Sequence, residues 1–570
     1  MLKLIKYLKH YKKESIIGPL FKLLEACFEL CIPLVVSSIV DVGIKNQNIP
    51  YIMRMCAVMV AFGILGLVCS LTAQYFAAKA AAGFGAELRR DLFGHVNRLS
   101  YTQLDQAGTA TLVTRITNDV NQAQAGVNLV LRLFLRSPFI VVGAVIMAFT
   151  IHGKLALIFV VLVPVLSLVI YSIMLACIPL YKKVQGSLDL VLRLTREALS
   201  GARVVRAFSR QEDEKREFAG QSQALMRWQL LVGKISALLN PATYVVINGA
   251  VLLVLWYGGK TVYQGEITQG EVIALTNYMS QILLALIALA NLIVSFTKAS
   301  ASAARIHEVF DRVPDMQEGR VGQTEASRPA ESIIFSHVDF AYQGNKNALT
   351  DLHFTVKRGQ TFGIIGGTGS GKSTVVNLIP RFYDATGGSV CVDGRDVRDY
   401  TFEGLRKNVG VVPQNAVLFS GTVRDNMRWG KADATDQEIY RALELAQARD
   451  FIDARPEGLD TPILQGGKNL SGGQRQRLTI ARALVGDPEI LILDDSASAL
   501  DYATDARLRR ALSEGLRDTT VILVSQRCVS IKDADQILVL DDGRQAGLGT
   551  HEELQKHCGV YREICMSQIS

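Results

Sequence analysis

The sequence has no Cys-x-x-Cys pair and no Cys/His spacing of the kind that binds metal. Its nine cysteines stand singly: Cys27, Cys31, Cys56, Cys69 and Cys177 in apolar runs, Cys391, Cys528, Cys558 and Cys565 in the more polar second half. Neither a zinc site nor a disulfide framework is expected from them. There is no internal repeat and no low-complexity tract. The net charge is +8, yet the second half lacks a dense basic patch with interleaved aromatics, so no nucleic-acid partner is expected. A cleavable signal is also missing: the first apolar span is too long and no small-residue cleavage pattern follows it.

What is present is strongly uneven. Apolar residues make up 49% of the chain and charged residues 20%, but the long apolar runs fall in the first half. Six spans of membrane length lie near residues 16–41, 51–78, 132–152, 155–179, 236–258 and 271–297. Each offers the roughly 20 apolar residues that a ~30 Å hydrocarbon core requires. The connections near 42–50, 153–154 and 259–270 are short, and those near 79–131 and 180–235 are long and charged. Lys3, Lys6, Lys9, Lys12 and Lys13 precede the first span, and Arg89, Arg90, Arg98, Arg115, Lys182, Lys183, Arg203, Arg206 and Arg210 lie in the long connections. This basic excess places the long connections and both termini on the cytoplasmic side. Their helical periodicity predicts that the spanning helices continue well into the cytoplasm. The reading is an α-helical membrane domain over 1–312, a polar Gly/Pro-marked linker over 313–331, and an α/β domain over 332–570 in which strands and helices alternate.

The second domain carries the chemistry. Gly366, Gly367, Thr368, Gly369, Ser370, Gly371, Lys372, Ser373 and Thr374 form a G-x-x-x-x-G-K-S loop. It follows the apolar strand Thr361 to Ile365 and opens a helix over Ser373 to Leu378, the context such a loop needs. Glycines let backbone N–H groups wrap phosphates, Lys372 reaches the β/γ oxygens, and Ser373 ligates Mg²⁺. The helix N-terminus adds its dipole. Asp494 ends the run Ile490 to Leu493, a position suited to the carboxylate on the Mg²⁺ side. Taken alone, an acidic pair after a strand is a solvated strand end; beside Lys372 it reads as function.

The run Leu470-Ser471-Gly472-Gly473-Gln474-Arg475-Gln476-Arg477 makes the chain resemble the ATP-binding cassette (ABC) superfamily, whose signature it matches. Further matches fall in the family's order. Tyr342 stands where an aromatic stacks on adenine. Gln414, in Val411-Val412-Pro413-Gln414, matches the loop that senses Mg²⁺ and contacts the membrane domain. Ser498-Ala499-Leu500-Asp501 matches the D-loop. Six spans ahead of one cassette resemble a half-transporter of the exporter type. The segments Asp105 to Val120 and Glu197 to Phe208 are similar to its two cytoplasmic loops. The resemblance implies ATP and Mg²⁺ as cofactors. It also implies coupling helices near 100–106 and 209–215, the second pressing on a partner's cassette.

The departures from the family pattern are specific. Asp495 stands where a hydrolytic Glu is expected, and Gln526 where a switch His is expected; Gln465 replaces an acidic residue usual before the signature. Asp495 keeps a carboxylate but shortens it by one methylene. Gln526 can donate a hydrogen bond but cannot carry an imidazolium charge. Asp495, Gln526 and Gln414 are therefore the candidate catalytic set of a degenerate site, while Ser471, Gly472, Gly473 and Gln474 form an intact signature for the ATP of another chain. The resemblance is to the degenerate-site subunit of heterodimeric bacterial multidrug-type exporters in the bacterial inner or plasma membrane. The expected partner is a second half-transporter with an intact catalytic Glu and switch His. Membrane lipids and an unknown small amphipathic or lipid-like substrate are expected too; the absence of a leading protease domain weighs against processed peptides. An ATP-gated channel or regulator on the same scaffold, and ATP-driven uptake, are the alternatives. No long regulatory insert of the kind expected of a channel is present.

Within the membrane, Glu25 and Glu29 lie one helical turn apart, as do Arg132 and Arg136. Ionisable groups at that depth face protein or a water-filled cavity. They read either as snorkelling or structural ion pairs, or as a polar cavity lining that sees substrate. Asn277, Gln281 and Asn291 are similar candidates.

Overall fold

The computed structural model describes residues 2–322, 329–342, 347–496 and 498–568. Part of the expected linker, 323–328, lies outside them. The chain divides into two units, Met1–Asn97 with Thr109–Arg312, and Arg98–Gly108 with Val313–Ser570.

Among the described residues of the first unit, six helices are long and apolar enough to cross a membrane: Lys3–Ile44, Ile49–Val96, Thr109–Ile151, Gly153–Ser200, Gln211–Tyr263 and Gln269–Phe310. At 1.5 Å per residue, a helix such as Ile49–Val96 is about 72 Å long, over twice the hydrocarbon thickness. Most of the charged connections at 79–131 and 180–235 are continuations of these helices. Small residues let the helices approach closely: Ala73, Ala77, Ala80 and Ala81 are buried along one stripe of Ile49–Val96. Tyr278 is fully buried in the last helix and donates from its hydroxyl to the Leu30 carbonyl at 2.7 Å.

Three π-helical turns interrupt this regularity, at Ile39–Ile44, Arg115–Asp119 and Val130–Phe134. Such turns widen the backbone ladder and are frequent at functional positions. Each carries charge. Asp41 accepts from Ser37 Oγ (3.0 Å), Thr268 Oγ1 (2.6 Å) and the Gly270 N–H (2.8 Å), tying the end of the first helix to the start of the last. Asp119 is fully buried and pairs with Arg115 at 3.0 Å and with the guanidinium of Arg305. Removing one partner of a buried pair leaves the other uncompensated, at a cost of about 3–5 kcal/mol. Arg305 is partly exposed, so Asp119→Ala is expected to fall at the low end of that range and to lower the melting temperature in detergent. An unchanged thermal transition would mean that the cluster contributes nothing to stability.

The short helix Tyr101–Ala107 begins at a Ser100/Gln103 capping box and ends at Gly108, whose φ is 73°. It matches the first expected coupling helix. The second expectation needs correction: the short helix is Ala202–Ala207, and 211–215 is already the start of Gln211–Ala237. The break falls at Gly201, and Ser209 is left-handed at φ 55°. Ser200-Gly201 is a turn-type dipeptide, but the polar periodicity runs on through both positions.

The second unit holds twelve strands among its described residues: β1 (Glu331–Phe340), β2 (Leu349–Lys357), β3 (Thr361–Gly366), β4 (Gly387–Val392), β5 (Arg395–Asp396), β6 (Val409–Val412), β7 (Gly421–Thr422), β8 (Pro462–Ile463), β9 (Ile490–Asp494), β10 (Thr520–Val524), β11 (Gln536–Asp541) and β12 (Arg544–Gly549). One sheet runs β2-β1-β4-β5 and is antiparallel. A second runs β12-β11-β3-β10-β9-β6, parallel from β11 through β6, and β7 pairs with β8 in a small antiparallel third. All of β9 and β10 is buried, as expected of parallel strands covered on both faces. Val524 pairs with both Ile364 and Asp494, so β3, β9 and β10 end together on one edge, where ligands of open α/β sheets bind.

The cysteine expectation fails at one place. Cys528 and Cys565 form a disulfide. The helix Gly559–Met566, anchored by the buried Tyr561, brings Cys565 onto the segment after β10. A separation of 37 residues has no local spacing pattern, so only the tertiary fold reveals the pair.

Candidate functional site

The glycine-rich loop leaves β3 at Gly366 and enters the helix Lys372–Leu378. Two glycines are sterically required. A Cβ at Gly366 would sit 2.2 Å from the Leu540 carbonyl oxygen, and one at Gly371, where φ is 97°, would sit 2.7 Å from the Leu349 side chain. Lys372 is buried and folds back into the loop, donating to the carbonyls of Gly366 (2.9 Å) and Gly367 (2.6 Å). Burial lowers its ammonium pKa, against the attraction of Asp495 and Asp494. Thr368 and Gly369 form the exposed rim, and Ser370 Oγ lies 3.4 Å from the lysine.

The acidic pair completes the arrangement. Ser373 Oγ donates to Asp494 Oδ1 at 3.2 Å, and Gln414 Nε2 donates to Asp495 Oδ2 at 3.3 Å. Burial raises both carboxyl pKa values, with the neighbouring Asp495 adding to the rise at Asp494. Asp495 has φ 45°, a left-handed position that Asp tolerates better than most residues. Its N–H donates to the Val524 carbonyl at 3.0 Å, tying it to the strand that precedes Gln526. The Gln526 side chain is exposed and makes no hydrogen bond among the described residues. Tyr342 is 40% exposed, shares a hydrogen bond with Thr374 Oγ1 at 3.1 Å and meets Tyr383 edge-on.

The donor set fits Mg²⁺, which keeps several waters and takes one or two carboxylates beside substrate phosphates. Ser373, Asp494 and the amide oxygen of Gln414 would hold it. No group of three His, Cys, Asp or Glu that could hold a metal exists among the described residues.

The signature stands apart. Ser471 caps the helix Gly472–Leu484 and exchanges hydrogen bonds with Gln474 in a capping box. Gly472 is exposed and Gly473 lies under the Ala499 carbonyl. No hydrogen bond joins these residues to the glycine-rich loop among the described residues. Ser498 bonds back to the Asp495 carbonyl at 2.8 Å, and Asp501 caps the helix Tyr502–Gly515. Gln465 is exposed in a turn.

In the membrane unit, Arg136 bonds Glu29 at 2.7 Å, and Lys22, a buried residue that pattern reading overlooked, bonds Glu25 and Ser70. Glu25, Glu29 and Arg136 also line an open hollow of about 290 Å³ with Phe28 and Phe62. Ion pairing and the lining of a hollow thus coexist at Glu25, Glu29 and Arg136. Arg132 Nε is buried without a hydrogen-bond partner among the described residues, Gln281 donates to the Glu29 carbonyl, and Asn277 and Asn291 are exposed. Sequence reading also missed Gln568, whose side chain bonds the backbone at Gln526 and Cys528; no motif marks it.

Two family descriptions match the chain, an ABC transporter transmembrane region over residues 15–286 and an ABC transporter domain over 349–498. An uncharacterised ABC transporter ATP-binding protein of Mycobacterium tuberculosis is 37% identical over 99% of this chain and 97% of its own length. An ATP-dependent lipid A-core flippase of Desulfotalea psychrophila is 34% identical over 84% of this chain and 83% of its own. A bacterial Atm1-family ABC exporter solved with ATP bound shares the fold, with a TM-score of 0.82 over 98% of this chain and 99% of its own at 24% identity. With a six-helix membrane region followed by one ATP-binding α/β domain, the chain belongs to the ABC transporter family, as a half-transporter.

Proposed function

We propose that this half-transporter is the degenerate-site subunit of a heterodimeric exporter that moves a small amphipathic or lipid-like substrate out of the cell. The observation that carries this reading is the coincidence of Asp495 and Gln526 at one edge of the sheet, in a chain whose Ser471 signature is intact. A base displaced by about 1 Å can lose roughly 10²-fold in rate, and Gln526 supplies no positive charge to a departing phosphate.

In this reading Tyr342 takes the adenine, and the loop from Gly366 to Thr374 takes the phosphates. Lys372 exchanges the Gly366 and Gly367 carbonyls for β/γ oxygens. Ser373, Asp494 and Gln414 hold Mg²⁺, which neutralises phosphate charge when bound. Ser471 and the N-terminus of its helix face the partner's ATP, where the partner's Glu does the hydrolysis. Sandwiching two ATPs shifts the membrane helices from inward-facing to outward-facing. The flippase name of one relative supports a lipid-like cargo, as does the hollow where Phe28 and Phe62 adjoin Glu25 and Glu29.

Reconstituted without a partner, the chain is expected to hydrolyse ATP slowly. Brisk turnover by a verified homodimer would remove the heterodimer reading.

A further inference from the structure

The segment that follows β10 is gripped by the helix Gly559–Met566 and by Gln568 in the turn after it. Gln568 donates from Nε2 to the Gln526 carbonyl at 2.6 Å and accepts from the Cys528 N–H at 2.8 Å. The same helix carries Cys565, bonded to Cys528 with Cα atoms 5.6 Å apart. Both cysteines are buried, at 7% and 5% exposure. The helix is itself fixed: Tyr561 is fully buried and its hydroxyl meets His551 Nδ1 at 2.8 Å. Cys528 opens the short helix Cys528–Ile531, and Ile531 lies directly under Gly363 of β3, where an added Cβ would be 3.2 Å away. The short stretch from Gln526 to Ile531 thus connects the C-terminal segment to the strand that delivers the glycine-rich loop.

We propose that the Cys528–Cys565 pair is a redox-operated brace on the Gln526 loop, with Gln568 as its positioning residue. It rests on the reading that Gln526 faces the γ-phosphate of ATP bound at Lys372. Closed, the brace holds the loop in its nucleotide-meeting position before ATP arrives. Opened, it removes the covalent tie and leaves the Gln568 amide as the hold of the C-terminal segment on the loop. The oxidant is a small-molecule disulfide of the glutathione type. One cysteine thiolate attacks it, breaking its S–S bond and releasing one thiol with a mixed disulfide left on the protein. The second cysteine then displaces the other half, forming the Sγ–Sγ bond. Two electrons pass to the oxidant, and the two cysteine protons end on the released thiols. Because both sulfurs are buried, exchange requires the C-terminal helix to lift.

Pre-ordering a loop lowers the cost of binding, and coupling between two sites is reciprocal, typically at least ~5-fold. The disulfide form is therefore expected to bind ATP about 5-fold or more tightly at this chain's site, and ATP is expected to favour disulfide formation by the same factor.

The test uses the full chain in its dimer, in lipid nanodiscs, equilibrated across glutathione/glutathione disulfide ratios. Linked peptides and free thiols are read by mass spectrometry, and nucleotide affinity by azido-ATP labelling of this subunit. Support is a Cys528–Cys565 linked peptide, tighter labelling of the linked form, and a thiol/disulfide midpoint that moves with ATP; a purely structural disulfide would not shift with nucleotide. The Cys528→Ser/Cys565→Ser double variant is expected to label as the reduced form at every ratio. If it misfolds, the wild-type titration still decides. Failure to link at any ratio, or equal affinity and an unmoved midpoint in the linked and reduced forms, overturns the proposal. Loss of all labelling with preserved linkage would instead count against nucleotide at Lys372.

Discussion

Ser471→Arg in this chain is expected to lower ATP turnover of the assembled transporter by about 10²–10³-fold, the usual effect of removing one preorganised donor from a transition-state site. Ser471 is exposed at the N-terminus of Gly472–Leu484 and makes no hydrogen bond to its own chain's glycine-rich loop among the described residues. On the proposed arrangement it closes over the partner's ATP, and an arginine there blocks closure at the competent site. The partner's catalytic Glu→Gln is expected to be similarly severe, since loss of a general base costs roughly 10²–10⁴-fold. Asp495→Asn is expected to cost little, because on the proposed reading Asp495 is a poorly placed base. Steady-state rates of the three variants in one lipid preparation make the comparison. If Asp495→Asn were as damaging as the partner's Glu→Gln, this chain would be an ordinary hydrolytic subunit with an unusual base.

Lys372→Ala is expected to weaken nucleotide at this chain's own site by roughly 10- to 100-fold. A hydrogen bond from a charged group contributes about 1.5–3 kcal/mol, and each 1.4 kcal/mol is about tenfold in affinity. The lysine is buried and held by two loop carbonyls, so its removal also loosens the loop that wraps the phosphates. Azido-ATP labelling of this subunit should fall accordingly. Unchanged labelling would place the nucleotide chiefly elsewhere.

The fold class was legible because its signals are local. A run of apolar residues long enough to span a bilayer identifies itself, and so do Ile490 to Leu493 between polar flanks. The loop from Gly366 to Thr374 was legible because backbone sterics dictate its glycines. What escaped depends on distance along the chain. Lys22 is an isolated-looking charge in an apolar run until Ser70, 48 residues on, is seen beside it together with the neighbouring Glu25. The grip of Gln568 on Gln526 joins residues 42 apart, and the Cys528–Cys565 bond is of the same kind. The break at Gly201 was hidden because α-helical periodicity persists on both sides of it.

Chain order and spatial order disagree at Arg98–Gly108, which belongs with the second unit although the first unit surrounds it in sequence. Tyr101 packs on Phe382 at 4.7 Å, Tyr383 donates its hydroxyl to Asp105 at 2.9 Å, and Gln103 bonds the Val313 carbonyl at 2.7 Å. A fragment cut at residue 313 is therefore a body with one tile missing: it keeps the glycine-rich loop and the signature, but bares Phe382 and strips Tyr383 of its carboxylate. The smallest faithful piece of the ATP-binding half is a two-segment object that no single stretch of the gene encodes.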